Sequence, residues 1–231
     1  MAVRMAFCVH GNKVDSVPVN FEWVPGFAKS QVRKNVANMH RVLNASTLEV
    51  STVGEEEIGK SLSAFTLKYK SNVLECVFQA SKVFTDGGPY KDLLKVSPRQ
   101  AKKDERIHNS GSLIAFELEG QKWPLSPKSA FYDYLYVQAV KQSIPMNKLQ
   151  EIMGYQFFTD IYFQHQKMYN TQARSIALVQ LIIREFGNIP DFTSREFIKY
   201  HKKHVKNWIM FIWQSPQNLG ALAVFIKFKL K

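Results

Sequence analysis

Apolar segments of two different periods interleave along this chain, and none runs far before a glycine, a proline or a polar stretch ends it. In SQVRKNVANMHRVL the residues Val32, Val36, Met39 and Leu43 recur at helical spacing, with Ser30 as the expected cap. In SGSLIAFELEGQKWPL apolar and polar residues alternate from Leu113 to Leu118, the pattern of a strand and turn. By the same reasoning strands are expected over residues 17–23, 48–53 and 64–70. Helices are expected over 74–84, 130–142, 146–154 and 171–186, with a short helical turn over 90–96 and a helix start at Ser97-Pro98. The aromatic run FFTDIYFQHQKMYN, residues 157–170, has no clean period. This mixture, without internal repeat or low-complexity linker, predicts an α+β fold: a single helix-rich domain with a small β-sheet.

Size and composition suit that reading. A chain of 231 residues with 45% hydrophobic and 22% charged residues buries a sizeable core, at the upper end for one domain. No apolar run approaches the roughly 20 residues needed to cross a bilayer, and MAVRMAFCVHGNKV lacks the apolar centre of a secretory signal. Cys8 and Cys76 alone make neither a disulfide framework nor a metal spacing, as suits a reducing compartment. The expectation is a cytoplasmic protein with no membrane partner.

The formal net charge of +12 favours polyanionic partners, nucleic acid foremost. It is unevenly placed: from Arg195 onward eight basic residues stand against Glu196 alone, so this stretch carries +7 of the +12. Residues 191–231 are therefore read as a basic extension packed on a main body, 1–190. Its helix is expected from 194 to about 213, with Ile198, Val205 and Ile212 on one side among Lys199, Lys202, Lys203 and Lys206. Ile226, Phe228 and Leu230, alternating with Lys227, Lys229 and Lys231, predict a closing edge strand.

Within LECVFQASKVF, Glu75, Gln79 and Lys82 are spaced by four and three residues and stack on one helical face, opposite Val77, Ala80 and Phe84. That stripe is either a solvated face or the wall of a ligand site, with Glu75 and Lys82 about 10 Å apart along the axis. TDGGPYKDLLKVSPRQ offers the backbone N–H groups of Gly87 and Gly88 and two helix starts, which either hold phosphate or form a plain turn. Asp160 stands among aromatic residues, where desolvation raises a carboxyl pKa as general acids require; capping a helix and pairing with Arg174 are the alternatives. His201 and His204 form a close pair, but Lys202 and Lys203 lie between them and no third ligand follows, so no metal site is assigned. GxSxG, HExxH and CxxC are absent, which leaves serine-hydrolase, zincin and thiol-redox chemistry without support.

In combination these motifs resemble the NADAR family, whose signature runs LSNF, then Glu-x-x-Phe-Gln-Ala-x-Lys-Phe, then Ser-Pro-x-x-Ala-Lys. The matching positions are Leu62, Ser63 and Phe65, then Glu75, Phe78, Gln79, Ala80 and Lys82, then Ser97, Pro98, Ala101 and Lys102. A closing element is similar through Asp160, Phe163 and Asn170. FEWVPGFA, LEVST, GGPYKDLL, WPLSPKSAFYDYLY and NTQARSIAL resemble the NADAR branch paired with DarT toxins, across roughly residues 5–185. The chain departs from the common pattern by inserting the WPLSPKSAFYDYLY region and replacing the late glycine-rich motifs.

The resemblance implies a YbiA-like fold and an antitoxin enzyme. The implied substrate is DNA whose guanine carries ADP-ribose placed there by a DarT-type toxin. The implied reaction is hydrolysis of the N-glycosidic bond, releasing free ADP-ribose without cofactor or metal. Glu75 and Lys82 are then the reactive groups, with Asp160 as a second acid or base. Trp23, Phe65, Phe78 and Tyr90 are candidates to stack on adenine or guanine, and Arg106, Arg174 and the Gly87–Gly88 turn to hold the diphosphate. Ser63, Gln79 and Asn170 join the ligand-binding set as matched motif positions. Two alternatives stay open: an N-glycosidase acting on small ribosylated metabolites such as riboflavin-pathway intermediates, and a non-enzymatic nucleic-acid-binding or toxin-sequestering protein.

Overall fold

A hairpin opens the chain: β1 (Ala2–His10) and β2 (Lys13–Phe21) pair antiparallel along their whole lengths, from Ala2 opposite Phe21 to His10 opposite Lys13. The structure, a computed structural model, describes residues 1–166 and 168–205. Next follow α1 (Lys29–Leu43), β3 (Thr47–Glu49), α2 (Glu57–Ser61), β4 (Lys68–Tyr69), β5 (Asn72–Val73), α3 (Leu74–Ala80) and β6 (Lys82–Phe84). A 3-10 turn, Lys91–Lys95, leads to α4 (Pro98–Lys103), α5 (Arg106–Asn109), β7 (Leu113–Leu118) and β8 (Gln121–Trp123). The described residues finish with α6 (Ala130–Ser143), α7 (Met146–Leu149), a 3-10 turn (Gln150–Gly154), β9 (Phe157–Thr159), α8 (Gln172–Phe186) and α9 (Ser194–His204).

The main sheet runs β2-β1-β9-β3, so a late strand fills the gap between two early ones. β9 is antiparallel to β1 and parallel to β3, which sets Phe158 opposite both Phe7 and Leu48, and all three side chains are buried. α8 packs on this sheet with every residue from Gln172 to Ile183 buried, as a helix enclosed on all sides must be. A second sheet, β6-β7-β8, is antiparallel, with Phe116 opposite both Lys82 and Trp123. The Phe116 ring centre lies 4.4 Å from that of Phe131 and 5.6 Å from that of Phe78, so aromatic stacking joins the small sheet to α6 and α3. The fold is α+β, as the mixed periods predict.

One polar cluster lies inside this core. Asp133 of α6 accepts from Arg174 of α8 at 3.1 and 3.2 Å, from Ser175 Oγ at 2.6 Å, and meets His201 Nε2 of α9 at 2.8 Å. Arg174 also donates to the Tyr169 carbonyl at 2.6 Å. The expected pairing of Arg174 with Asp160 is therefore wrong, and so is its expected place at a diphosphate: the guanidinium is 2% exposed and committed to Asp133. His201 and His204 are held by the fold as well, His201 Nε2 by Asp133 and His204 Nδ1 by the Asn12 carbonyl at 2.5 Å. The buried stripe of α9 is Phe197, His201 and His204, while Ile198 is only half-buried. Part of the expected 194–213 helix, and all of the closing strand, lie outside the described residues.

Other expectations need correction. The helix over 74–84 stops at Ala80, because Lys82–Phe84 pairs with β7 instead. The strand over 64–70 is mostly a turn, in which the Ser63 carbonyl accepts from Thr66 and Leu67 at 2.8 Å each. The helix over 146–154 splits into α7 and a 3-10 turn. α1 starts one residue early, with the Gln31 side chain accepting from the Ala28 amide at 3.2 Å in place of a Ser30 cap. Among the described residues no helix is long and apolar enough to cross a membrane.

Candidate active site

Every residue of α3 is buried, because the helix packs against α4, α6 and the chain around β4 and β5. That rules out the solvated face for Glu75 and Gln79, which are 6% and 4% exposed. Gln79 Nε2 donates to Glu75 Oε1 at 2.9 Å, while Gln79 Oε1 is buried without a hydrogen-bond partner among the described residues. An unused buried acceptor costs about 1–3 kcal/mol unless something fills it.

Lys82 is not on the helix. It begins β6, half-buried, with its Nζ 5.0 Å from the centre of the Phe78 ring and in electrostatic contact with Glu75. Burial lowers its pKa to about 8; Glu75 resists the fall and Lys102 adds to it. The Gly87–Gly88 turn packs against this strand, with the Gly87 carbonyl accepting from the Phe84 amide at 2.8 Å. Gly88 has φ +80°, and a Cβ there would lie 2.4 Å from the Lys82 carbonyl oxygen; one on Gly87 would lie 2.2 Å from Tyr90 Oη.

Asp160 follows β9 and is buried, accepting from the Tyr162 amide at 3.1 Å and the Thr171 hydroxyl at 3.4 Å. Burial, and next the charge of Glu49, raise its pKa to about 7, against the lowering by Tyr162, Lys102 and Thr171. Lys102 thus interacts with both Lys82 and Asp160, and Tyr132 with both Glu75 and Asp160, which brings the three sequence candidates into one site. The backbone links them too: Gln172 Oε1 accepts from the Ala64 amide at 2.8 Å, and the Ala64 carbonyl accepts from the Glu75 amide at 3.1 Å.

The other expected binding residues divide. Ser63 is buried with its Oγ on the Phe65 amide at 3.3 Å, and Lys102 Nζ lies 5.8 Å from the centre of the Phe65 ring. Asn170 Oδ1 is buried without a hydrogen-bond partner among the described residues. Phe78 is buried in the aromatic core beside Lys82, and Trp23 lies under Arg4 at 5.0 Å. Arg106 and Tyr90 form a separate cluster: the guanidinium sits 4.5 Å over the Tyr90 ring and is held by Asp92 at 2.6 Å and Asp104 at 2.9 Å. A hollow of about 240 Å³ behind α3, lined among others by Val77, Ser81 and Glu119, contains none of Glu75, Lys82 and Asp160.

Glu49 escaped sequence reasoning, although it sits in the quoted LEVST. It is 1% exposed and accepts from the Ser51 hydroxyl at 2.7 Å, the Thr159 hydroxyl at 2.7 Å and the Ile161 amide at 3.0 Å. Two of those donors flank Asp160, so Glu49 holds the chain on both sides of it, and its charge adds to burial in raising that carboxyl, while burial raises Glu49 itself. An acid in a three-residue strand gives no local sign of this, since the two donors beside Asp160 lie 110 and 112 residues away. Glu49→Gln removes the charge and is expected to lower the Asp160 pKa by about one unit. A carboxyl titration by NMR reads this directly, and an Asp160 value unchanged or raised would refute the coupling.

These features define an α+β protein with a buried centre of two acidic side chains and a deprotonation-prone lysine, fit for proton transfer and nucleophilic attack. The chain belongs to the DarT1-associated NADAR antitoxins, whose family model matches residues 2–207. No curated protein matches it. Among the described residues no group of three His, Cys, Asp or Glu side chains is arranged to hold a metal ion.

Proposed function

We propose that the protein hydrolyses the N-glycosidic bond between ADP-ribose and the amino group of guanine in DNA, reversing the action of a DarT-type toxin. The observation that carries this reading is the Lys82 amine, half-buried beside Glu75 with Asp160 in the same site, in a member of that antitoxin family. At pH 7 a pKa of about 8 leaves about one amine in ten neutral, against about one in three thousand for an ordinary lysine.

Cleaving the bond develops positive charge on the ribose, which the Glu75 carboxylate stabilises. Asp160, protonated up to near-neutral pH, gives its proton to the departing guanine nitrogen. That departure follows ring opening: the guanine nitrogen's lone pair breaks the C1″–O4″ bond as O4″ takes a proton from solvent. The neutral Lys82 amine adds to C1″, and the guanine amino group leaves with the Asp160 proton, so that a lysine imine replaces the C1″–guanine bond. Water then hydrolyses the imine, returning the free lysine and releasing ADP-ribose. The unpartnered, buried Gln79 Oε1 supports a contact with a ribose hydroxyl.

The test is release of free ADP-ribose from DNA carrying ADP-ribosylated guanine. Absence of release overturns the reading. Release from ribosylated riboflavin-pathway intermediates but not from DNA moves the substrate to small metabolites. Function that survives Lys82→Ala but is lost on deleting residues 195–231 points to a non-enzymatic, charge-driven role.

A further inference from the structure

The stretch that leaves Asp160 returns to it at Thr171, and both ends bond its carboxylate, through the Tyr162 amide and the Thr171 hydroxyl. Two tyrosines near those ends, Tyr162 and Tyr169, are 52% and 53% exposed. Each has a cation beside it: Arg99 acts on Tyr162, and Lys128 Nζ lies 4.2 Å from the centre of the Tyr169 ring. Phe65, 38% exposed, carries Lys102 and is one residue from Ala64, the link between Gln172 and Glu75. Arg4, which covers Trp23, donates to the Ile161 carbonyl at 3.2 Å and so borders the same stretch. Among the described residues none of these four cations makes an ion pair with a carboxylate.

Aromatic faces alternating with cations that no ion pair holds are the chemistry of a single-stranded nucleic acid surface. Unpaired bases stack on the rings, while the cations follow the phosphates. A duplex keeps its bases stacked inside and offers the rings nothing. We infer that the rim formed by Tyr162, Tyr169, Phe65 and Trp23 with their cations binds the unpaired nucleotides flanking a base held at the Glu75–Lys82–Asp160 site. The assignment of that base as the modified guanine rests on the proposed hydrolase activity; the rim itself does not.

Fluorescence anisotropy with an unmodified labelled strand of about a dozen nucleotides tests the rim without any chemistry. The full chain is expected to bind the single strand more tightly than the duplex of the same sequence. Y162A/Y169A weakens that binding about tenfold or more, whereas Y162F/Y169F, which keeps both rings, retains it. Arg99→Gln and Lys128→Gln each reduce the slope of log affinity against log salt by about 0.7. Equal affinity for the duplex, or an alanine pair within about twofold of wild type, overturns the inference. In hydrolysis, the alanine pair should cost a modified oligonucleotide at least about tenfold more in kcat/KM than a modified mononucleoside. If wild type hydrolyses neither but binds the single strand, the hydrolase reading falls and the rim stands. If it hydrolyses both and the alanine pair affects them equally, the rim falls and the hydrolase stands.

Discussion

Lys82→Ala is expected to lower release of ADP-ribose from modified DNA by about 10²–10⁴-fold while leaving the protein folded. Stability should change little, because the side chain is half-buried and burial already disfavours its charged form. Lys82→Arg separates charge from nucleophilicity: it keeps a cation beside Glu75 and over Phe78 but supplies no neutral amine. Arginine is therefore expected to rescue none of the loss. Borohydride added during turnover should reduce the imine and leave ADP-ribose bonded to Lys82, seen as an adduct on the peptide containing that residue. Full activity in Lys82→Arg, or no adduct under conditions where product forms, would remove the lysine from covalent chemistry and leave Glu75 and Asp160 to act alone.

The second large effect is on stability. Arg174→Met keeps the length of the side chain in the core but leaves the fully buried Asp133 carboxylate without its main counter-charge. Removing one partner of a buried ion pair costs about 3–5 kcal/mol, which for a chain of this size is a fall in Tm on the order of 10 °C. Burial pushes the Asp133 carboxyl up, but Arg174, His201 and Ser175 more than offset it and hold it at about 2. A carboxyl depressed in the folded state contributes stability that is full above its unfolded pKa, about 4, and lost as pH falls towards 2. Wild-type thermal unfolding should show that loss between about pH 4 and 2, and Arg174→Met should show much less of it. Arg174→Met/Asp133→Leu, with both charges gone, is expected to recover part of the Tm. A single variant as stable as wild type would mean that His201 and Ser175 suffice to hold the carboxylate.

The same two sites show how far the chain can be read without its fold. The period of two over Leu113 to Leu118 returns residue for residue as β7, and the helix expected over 171–186 as α8, because spacing along the chain decides which side chains share a face. LECVFQASKVF shows where spacing misleads. Glu75 and Gln79 do lie one turn apart, yet the helix ends before Lys82, because pairing of Lys82–Phe84 with β7 outweighs continuation of the helical pattern. FFTDIYF has no period to read, since β9 is enclosed by β1, β3 and α8 and needs apolar residues on both faces.

Sequence by itself determined the α+β class, the existence of most elements, and the identity of Glu75, Lys82 and Asp160 as candidates. It did so because residue spacing and motif order are properties of the chain. Only the tertiary structure decided that Lys82 lies on a strand and that Arg174 belongs to Asp133. It alone placed Glu49 around Asp160 and closed the stretch carrying Tyr162 and Tyr169 upon that carboxylate. The physical reason is that burial and neighbouring charge set what an ionisable group does, and both come from elements distant in sequence. The Thr159–Glu49 bond spans 110 residues and the Ala64–Gln172 bond 108, separations over which no local pattern carries information.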